Sequence, residues 1–347
     1  MKKLFLHSNF DSISGYGISA TYLAIELQKQ GIDVYPIAKS VGLDMPEEFL
    51  NLLMKKYPIG QHIDYYVNMD TPNNLGVSDN FNFIEKKIAF TMWEQTRMTK
   101  EFKKKHFKAF DNIFVPCSMN IEPFGKLFKE ENIKVNFLGV DIQFYSPVGR
   151  NFCADKLKVC MNGALTFRKG VDILIDVMLD DRIKKLPIEF HLKNSQKTIH
   201  PKIAEINPNI HVYEGIWTKE QVKNFYNDNH IMICPNRGEG FNQPALEFLA
   251  TGGVVITHDW GGHQTWANPE YCKIIPYKLV PVKEWKNVNE ESKWAEVNKE
   301  DVIKALLDLY GNRPKLVNLS HNAIKMVNFY SYEKVSEKFI MNLKELV

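Results

Sequence analysis

Short apolar runs alternate with helix-periodic segments along this chain, and the alternation runs through twice with a break between the rounds. No other feature constrains the fold as much. Apolar strands separated by helices pair in parallel through right-handed βαβ crossovers. Residues 3–7 read as the first strand. Ala20, Leu23, Ala24 and Leu27 then recur at helical spacing within 18–30, Gly31 stops the helix, and 32–37 form the next strand. Further strands are expected at Tyr65–Met69, Lys87–Thr91, Asn112–Val115 and Lys134–Leu138, with helices over 97–110 and 119–130. The pattern relaxes over 140–155, around Pro147 and Gly149. It restarts with strands at Leu157–Met161, Ile188–Lys193, Ile210–Tyr213, His230–Cys234 and Val254–Thr257, and helices over 170–179, 218–228 and Pro244–Thr251. An amphipathic helix over 331–345 closes the chain. The fold class read from this is α/β. Two doubly wound, Rossmann-like domains, 1–148 and 149–330, are expected to face each other across a cleft, followed by a terminal helix, 331–347.

Composition excludes several classes. A chain of 347 residues with 44% hydrophobic and 12% aromatic side chains can build real cores, so wholesale disorder is out. The net charge of +3 sets up no strong field of either sign. No apolar run approaches the ~20 residues of a membrane span. Met1-Lys2-Lys3 is followed by only Leu4-Phe5-Leu6 before polar residues begin, so no signal peptide is expected. Five widely spaced cysteines (Cys117, Cys153, Cys160, Cys234, Cys272) without a CxxC argue against a disulfide framework or a cysteine zinc site. They fit a reducing cytoplasm.

The most informative stretch runs from Cys234 to Ile256. A strand ends at Cys234, and a polar loop, Pro235-Asn-Arg-Gly-Glu-Gly-Phe-Asn-Gln, leads to Pro244 where a helix would start. Glu239 lies in the loop and Glu247 eight positions later, on the helix. Gly252-Gly253 cap that helix before a strand resumes. Ligands of parallel sheets bind outside the carboxyl ends of strands, and a helix N-terminus there offers unpaired N–H groups to a phosphate. Two carboxylates beside such a site would repel phosphate. They make sense as acceptors for neutral hydroxyls of a sugar and a ribose. The plainer reading has Glu239 solvated and Glu247 complementing the helix dipole.

This stretch resembles the signature of retaining GT-B glycosyltransferases of the E-x7-E group, matching at Pro235, Glu239, Gly240, Phe241, Pro244, Glu247, Ala250, Gly252, Val255 and Ile256. It departs at Asn242, where that group usually has Gly, and at Gly253, where it often has Pro. Gly163-Ala-Leu-Thr-Phe-Arg-Lys-Gly170-Val-Asp resembles the group's phosphate-binding turn, with Lys169 matching, Ala164 replacing the usual Arg, and Arg168 standing beside the Lys. Only six of the 44 basic residues are Arg, which marks that pair out. Trp93-Glu94, Pro116-Cys-Ser118 and Gly139-Val140-Asp141 resemble further elements.

The resemblance implies transfer of a sugar from a nucleotide diphosphate donor, UDP-linked by expectation, to an acceptor hydroxyl with retention, by a front-face route without metal or other cofactor. Glu239, Arg168, Lys169 and Glu94 are the expected catalytic group. Arg168 and Lys169 would clamp the diphosphate, Glu239 hold the sugar hydroxyls and Glu94 orient the acceptor. Gly15, Gly17, Thr166, Phe241, Asn242, Gln243 and Glu247 would bind the donor, Glu247 through the ribose. The terminal helix would cross back to the first domain.

Gly15-x-Gly17-x-x-Ala20 also satisfies a dinucleotide fingerprint. Against that use, residues 8–14 intervene after the first strand, and the second strand ends Ile37-Ala38-Lys39 with no acid. A nicotinamide-dependent oxidoreductase therefore stands as an alternative, as does a non-catalytic GT-B binding protein. No D-x-D, P-loop, H-E-x-x-H or G-x-S-x-G occurs, and the ten histidines show no ligand spacing. His258 and His263 read as cleft-lining or ordinary loop residues. The run 97–108 carries six Lys or Arg side chains and one Glu. It reads as a solvated helix face or as a surface for an anionic acceptor. The acceptor is thus an envelope glycan, a lipid, or a hydroxylated base in DNA such as 5-hydroxymethylpyrimidine, the last suiting a bacteriophage enzyme.

Overall fold

The computed structural model describes residues 1–58, 60–77, 83–98, 107–196, 207–283 and 290–346. The chain divides into two compact units. Unit 1 comprises Met1–Gly139, Val282–Ser292 and Tyr330–Val347, and unit 2 comprises Val140–Pro281 and Lys293–Phe329.

Unit 1 is built on β1 (Lys3–Phe10), α1 (Gly15–Lys29), β2 (Asp33–Val41), α2 (Glu47–Leu53), β3 (Ile63–Met69), β4 (Ile84–Phe90), β5 (Asn112–Val115), α3 (Ile121–Phe124) and β6 (Ile133–Val135). Its sheet is parallel throughout, in the order β2-β1-β3-β4-β5-β6. β3 and β5 are buried at every position, as strands covered on both faces must be, which is why they read as largely apolar runs broken only by the buried Asp64, Asn68 and Asn112.

Several expectations change here: β2 runs to Val41 rather than ending at 37, β4 starts at Ile84 rather than Lys87, and three further differences have a visible cause. β1 runs on through Phe10, because the Ser8 hydroxyl is satisfied inside the sheet by the Met69 carbonyl at 2.7 Å and Phe10 packs on Phe49 at 4.6 Å between ring centroids. The helix expected over 119–130 shrinks to the four residues of α3, where Pro123 and Gly125 break the periodicity. The strand expected over Lys134–Leu138 stops at Val135, and the Asn136 Oδ1 accepts from Asn342 Nδ2 at 3.1 Å. Most of the expected 97–110 helix, residues 99–106, lies outside the described residues.

Unit 2 contains β7 (Leu157–Gly163), α4 (Val171–Met178), α5 (Asp181–Lys184), β8 (Ile188–Asn194), β9 (Ile210–Glu214), α6 (Lys219–Asn227), β10 (Ile231–Cys234), α7 (Gln243–Ala250), β11 (Val254–Thr257), β12 (Cys272–Ile274), the antiparallel pair β13 (Tyr277–Pro281) and β14 (Lys293–Val297), α8 (Lys299–Gly311) and α9 (Arg313–Met326). The large sheet is parallel, in the order β12-β11-β10-β7-β8-β9. The chain winds outward from β7 to β9, then reverses and winds from β10 to β12. β7 and β10 therefore flank the point of reversal, where a crevice opens at the carboxyl ends of the strands. Val159, Phe190, Ile231, Ile233, Val254 and Ile256 bury one face of this sheet under Leu174 and Val177 of α4 and Leu306 of α8.

The closing helix, α10 (Tyr332–Lys344), belongs to unit 1. Ser331 caps it, Tyr332 stacks on Tyr22 at 4.8 Å, and Phe339 lies 5.1 Å from Phe114.

Candidate active site

Two loops of unit 2 meet at the carboxyl ends of β7 and β10. One follows β7 and carries Thr166, Arg168 and Lys169; the other follows β10 and carries Asn236, Arg237 and Glu239. Backbone bonds tie them: Arg237 N–H donates to the Arg168 carbonyl at 2.7 Å, and Arg168 Nη1 donates to the Gly238 carbonyl at 2.6 Å. Gly170 has φ +74°, and a Cβ there would stand 2.3 Å from the Pro235 carbonyl, so only glycine admits this approach.

Within the joined loops the Lys169 ammonium is hydrogen-bonded to Glu239 Oε2. Arg168 Nη1 lies 3.9 Å from the same oxygen, and Asn236 Nδ2 donates to it at 2.8 Å. Burial alone would raise the Glu239 pKa. Lys169 and then Arg168 reverse that and bring it down to about 2, so the carboxylate is ionised at neutral pH. Asn236 Oδ1 is buried with no hydrogen-bond partner among the described residues. A buried acceptor left over in this way is what a ligand hydroxyl would satisfy.

The stretch from Cys234 to Gln243 is buried throughout, unusual for a loop, and apart from Asn236 Oδ1 several of its polar groups are held by internal bonds. Asn242, the departure from the usual Gly, holds the left-handed φ of +65° that glycine would otherwise supply. Its side-chain amide donates to His263 Nε2 at 2.9 Å, so His263 Nδ1 carries the hydrogen and donates to Thr257 Oγ1 at 2.8 Å. Trp266 Nε1 donates to the Phe241 carbonyl at 2.7 Å. These bonds set the entry to α7, where Gln243 is buried and Pro244 occupies the first turn. His258 and His263 are both fully buried rather than loop-surface residues, and burial lowers both pKa values.

Glu247, one turn into α7, accepts from the Tyr226 hydroxyl at 3.0 Å, and that hydroxyl accepts from Asn162 Nδ2 at 2.7 Å. Among the described residues no cation forms an ion pair with the Glu247 carboxyl, and Lys219 acts on it only at a distance. Burial pushes the Glu247 pKa up to about 7, which the Tyr226 bond only partly offsets.

Sequence reasoning missed Arg237. It is buried, donates to the Phe167 carbonyl at 2.6 Å, pairs with Asp172 at 2.7 and 2.8 Å and with Glu296, and stacks on the Phe167 ring at 3.6 Å. Its scarcity was the signal, since a lysine cannot make two bidentate contacts at once. Asn236, Tyr226 and Asn162 carried no signal of their own.

The structure thus gathers Thr166, Arg168, Lys169, Glu239, Phe241, Asn242, Gln243 and Glu247 in unit 2. Gly15, Gly17 and Glu94 lie in unit 1. The two glycines sit in the first turn of α1, and only residues 11–14 separate β1 from it, not 8–14. Asp11 makes that turn tight: its Oδ1 accepts from the Ile13 N–H at 2.9 Å and its Oδ2 from the Ser14 hydroxyl at 2.8 Å. A Cβ on Gly17 would fall 2.5 Å from Asp11 Oδ2, so Gly17 has a steric role whatever it binds. Tyr16, between the glycines, receives the Met92 N–H at 3.1 Å and feels the charge of half-buried Glu94. No acid ends β2; Lys39 there pairs with Asp70 at 2.8 Å.

Residues 156–281 match the family model for group 1 glycosyl transferases. The matched stretch lies within unit 2. It spans β7 through β13, so it includes both loops and Glu247. The whole chain has the GT-B fold. It superposes with TM-score 0.68 on a glycosyltransferase from Rickettsia africae (14% identity, 99% of this chain and 98% of that one). It gives 0.69 with sucrose-phosphate synthase from Thermosynechococcus elongatus (15% identity, 100% and 99%), and 0.67 with Anabaena HepE in complex with UDP and glucose (14% identity, 99% and 99%). In sequence it is 26% identical over 219 residues to an uncharacterized glycosyltransferase of Sulfolobus islandicus rod-shaped virus 1, covering 57% of this chain. The match spans 63% of that relative's length. No helix among the described residues is long and apolar enough to cross a membrane.

Proposed function

We propose that the protein moves a sugar from a UDP-linked donor to an acceptor hydroxyl with retention of configuration, by a front-face route that needs no divalent metal. The buried, ionised Glu239 against Lys169 and Arg168, at the winding reversal of unit 2, supports this best. A departing diphosphate gains negative charge as the glycosidic bond breaks. Arg168, Lys169 and the first-turn amides of α7 stabilise that charge in this reading. Glu239 and the spare Asn236 Oδ1 accept the hydroxyls of the transferred sugar. Glu247 takes the ribose hydroxyls, while Thr166, Phe241, Asn242 and Gln243 complete the donor contacts of unit 2. The leaving phosphate oxygen takes the acceptor proton as the new bond forms on the same face, so no protein nucleophile is consumed. Glu94 orients the acceptor. The UDP bound by the structurally similar HepE favours a uridine donor.

For the acceptor, an envelope glycan or a lipid is the first reading, with the enzyme working in the cytoplasm. A hydroxymethylated base in DNA is the second, favoured by the viral relative. The basic run 97–108 that would serve an anionic acceptor lies largely outside the described residues.

Glu239→Ala, with Glu239→Gln as the isosteric partner, tests the assignment. Both are expected to cut transfer by about 100-fold or more while the circular dichroism spectrum stays native. Turnover retained in both variants refutes the role, and donor neither hydrolysed nor transferred by the parent chain would leave a binding protein instead.

A further inference from the structure

We propose that Glu189, His191 and His211 form a binding site for a first-row divalent metal of the zinc type, separate from the transfer centre. β8 and β9 pair in parallel with His191 directly opposite His211, and Glu189 stands two residues before His191, on the same face of the sheet. The strand period thus brings three donors from two strands together. Their ligating atoms all lie within 4.8 Å of one another, and Glu189 Oε2 is 3.8 Å from His191 Nε2. Tetrahedral zinc, with bonds of about 2.0–2.1 Å, wants its ligand atoms some ~3.3 Å apart, a small side-chain adjustment from here.

The chemistry of the set selects the ion. Two imidazoles and one carboxylate suit zinc or its neighbours, not magnesium or calcium, which take oxygen ligands. The other carboxylate oxygen, Glu189 Oε1, accepts from Lys156 Nζ at 2.6 Å, a bond that fixes the carboxylate's orientation from outside the site. His191 is buried, and its ring meets that of His211 edge to face at 5.1 Å. His191 also lines an open hollow with Tyr213, Trp217, Gln221, Asn224 and Asp228, which leaves a remaining coordination position reachable by water or a small anion.

Placement separates this site from the proposed chemistry. Glu189 and His191 are the second and fourth of the seven residues of β8, away from its carboxyl end. Lys169 and Glu239 sit past the carboxyl ends of β7 and β10. A metal here braces the β8–β9 edge. It takes no part in the transfer step, and the proposal does not depend on that step. A second grouping, His62, Asp64 and Glu85 in unit 1, has an exposed histidine, and its Asp64 is already held by Lys2 at 2.7 Å and the Lys3 N–H at 2.8 Å.

The full chain, stripped with a chelator, is titrated with Co2+ and then Zn2+. A single tightly bound Co2+ with visible absorption bands, displaced by Zn2+, is expected, together with a rise in Tm on adding Zn2+. His211→Ala, at a half-exposed position, and Glu189→Gln are each expected to weaken binding by about tenfold or more, with the metal-free Tm unchanged. His62→Ala is expected to leave binding intact. No binding by the parent chain, or binding that survives both His211→Ala and Glu189→Gln, or loss in His62→Ala, overturns the proposal.

Discussion

Glu239 and Glu247 are the same residue type eight positions apart, and their surroundings push them in opposite directions. Glu239 is buried beside two cations and stays ionised down to about pH 2, whereas Glu247 is buried beside a phenol and titrates at about 7. The consequence for stability has a definite sign. The ordinary glutamate value is 4.5, so between there and about 7 the folded chain holds a proton on Glu247 that the unfolded chain has lost. Stability from this group is complete below 4.5 and is lost as pH rises through 7. Glu247→Gln removes that titration, and the drop in Tm between pH 5 and pH 8 is expected to be smaller in the variant than in the parent. Glu239 acts the other way: its contribution is present above 4.5 and is lost as pH falls toward 2. At Glu94 the sharp measurement is kinetic. Glu94→Gln is expected to lower turnover with donor binding unchanged, and equal turnover would end its assignment. The E-x7-E pair was legible in the sequence by spacing; its split in pKa was not, because Lys169, Arg168 and Tyr226 come from other elements.

At the scale of elements, the loops after β7 and β10 behave as one body, and Arg237 is the pin. It joins Asp172 at the start of α4, Glu296 on β14 and the Phe167 carbonyl. Removing it strands two carboxylates, both partly exposed, and a carbonyl. Arg237→Ala is expected to cost roughly 3 kcal/mol in denaturant unfolding, and Arg237→Lys to recover little, since an ammonium cannot span both carboxylates. The strands and helices expected between 157 and 257 match the observed bounds to within two residues, because central parallel strands are buried on both faces and leave largely apolar runs, whereas α5, β12, β13, β14, α8 and α9 were not anticipated. Two misreadings fell where a polar residue is satisfied by something distant, Ser8 inside β1 and Asn136 against α10, and a third where Pro123 and Gly125 cut α3 short locally. The same cause hid the Glu189–His191–His211 grouping, since His191 and His211 are brought opposite only by strand register.

At the scale of the molecule, each unit owns a parallel sheet, and the groups proposed to hold the donor's diphosphate, sugar and ribose all lie in unit 2. Binding of a nucleoside diphosphate should therefore stabilise the native chain by mass action, about 2.7 kcal/mol at a ligand concentration 100 times Kd. UDP is expected to raise Tm more than GDP or NADH in a thermal-shift series, and Lys169→Ala to abolish the UDP shift. A response to NADH in place of UDP would revive the dinucleotide reading of Gly15 and Gly17.

The sequence by itself determined the alternating α/β architecture, the two rounds of winding and the position of the Glu239–Glu247 motif, because apolar periodicity and turn residues are local properties of the chain. Only the tertiary structure decided which charges neutralise one another, which carboxylate keeps its proton, that Asn242 takes over a glycine's backbone geometry with help from His263, and that α10 packs with the first half of the chain. Those outcomes depend on groups far apart in the chain meeting away from water, where a single partner outweighs anything its neighbours in sequence can supply.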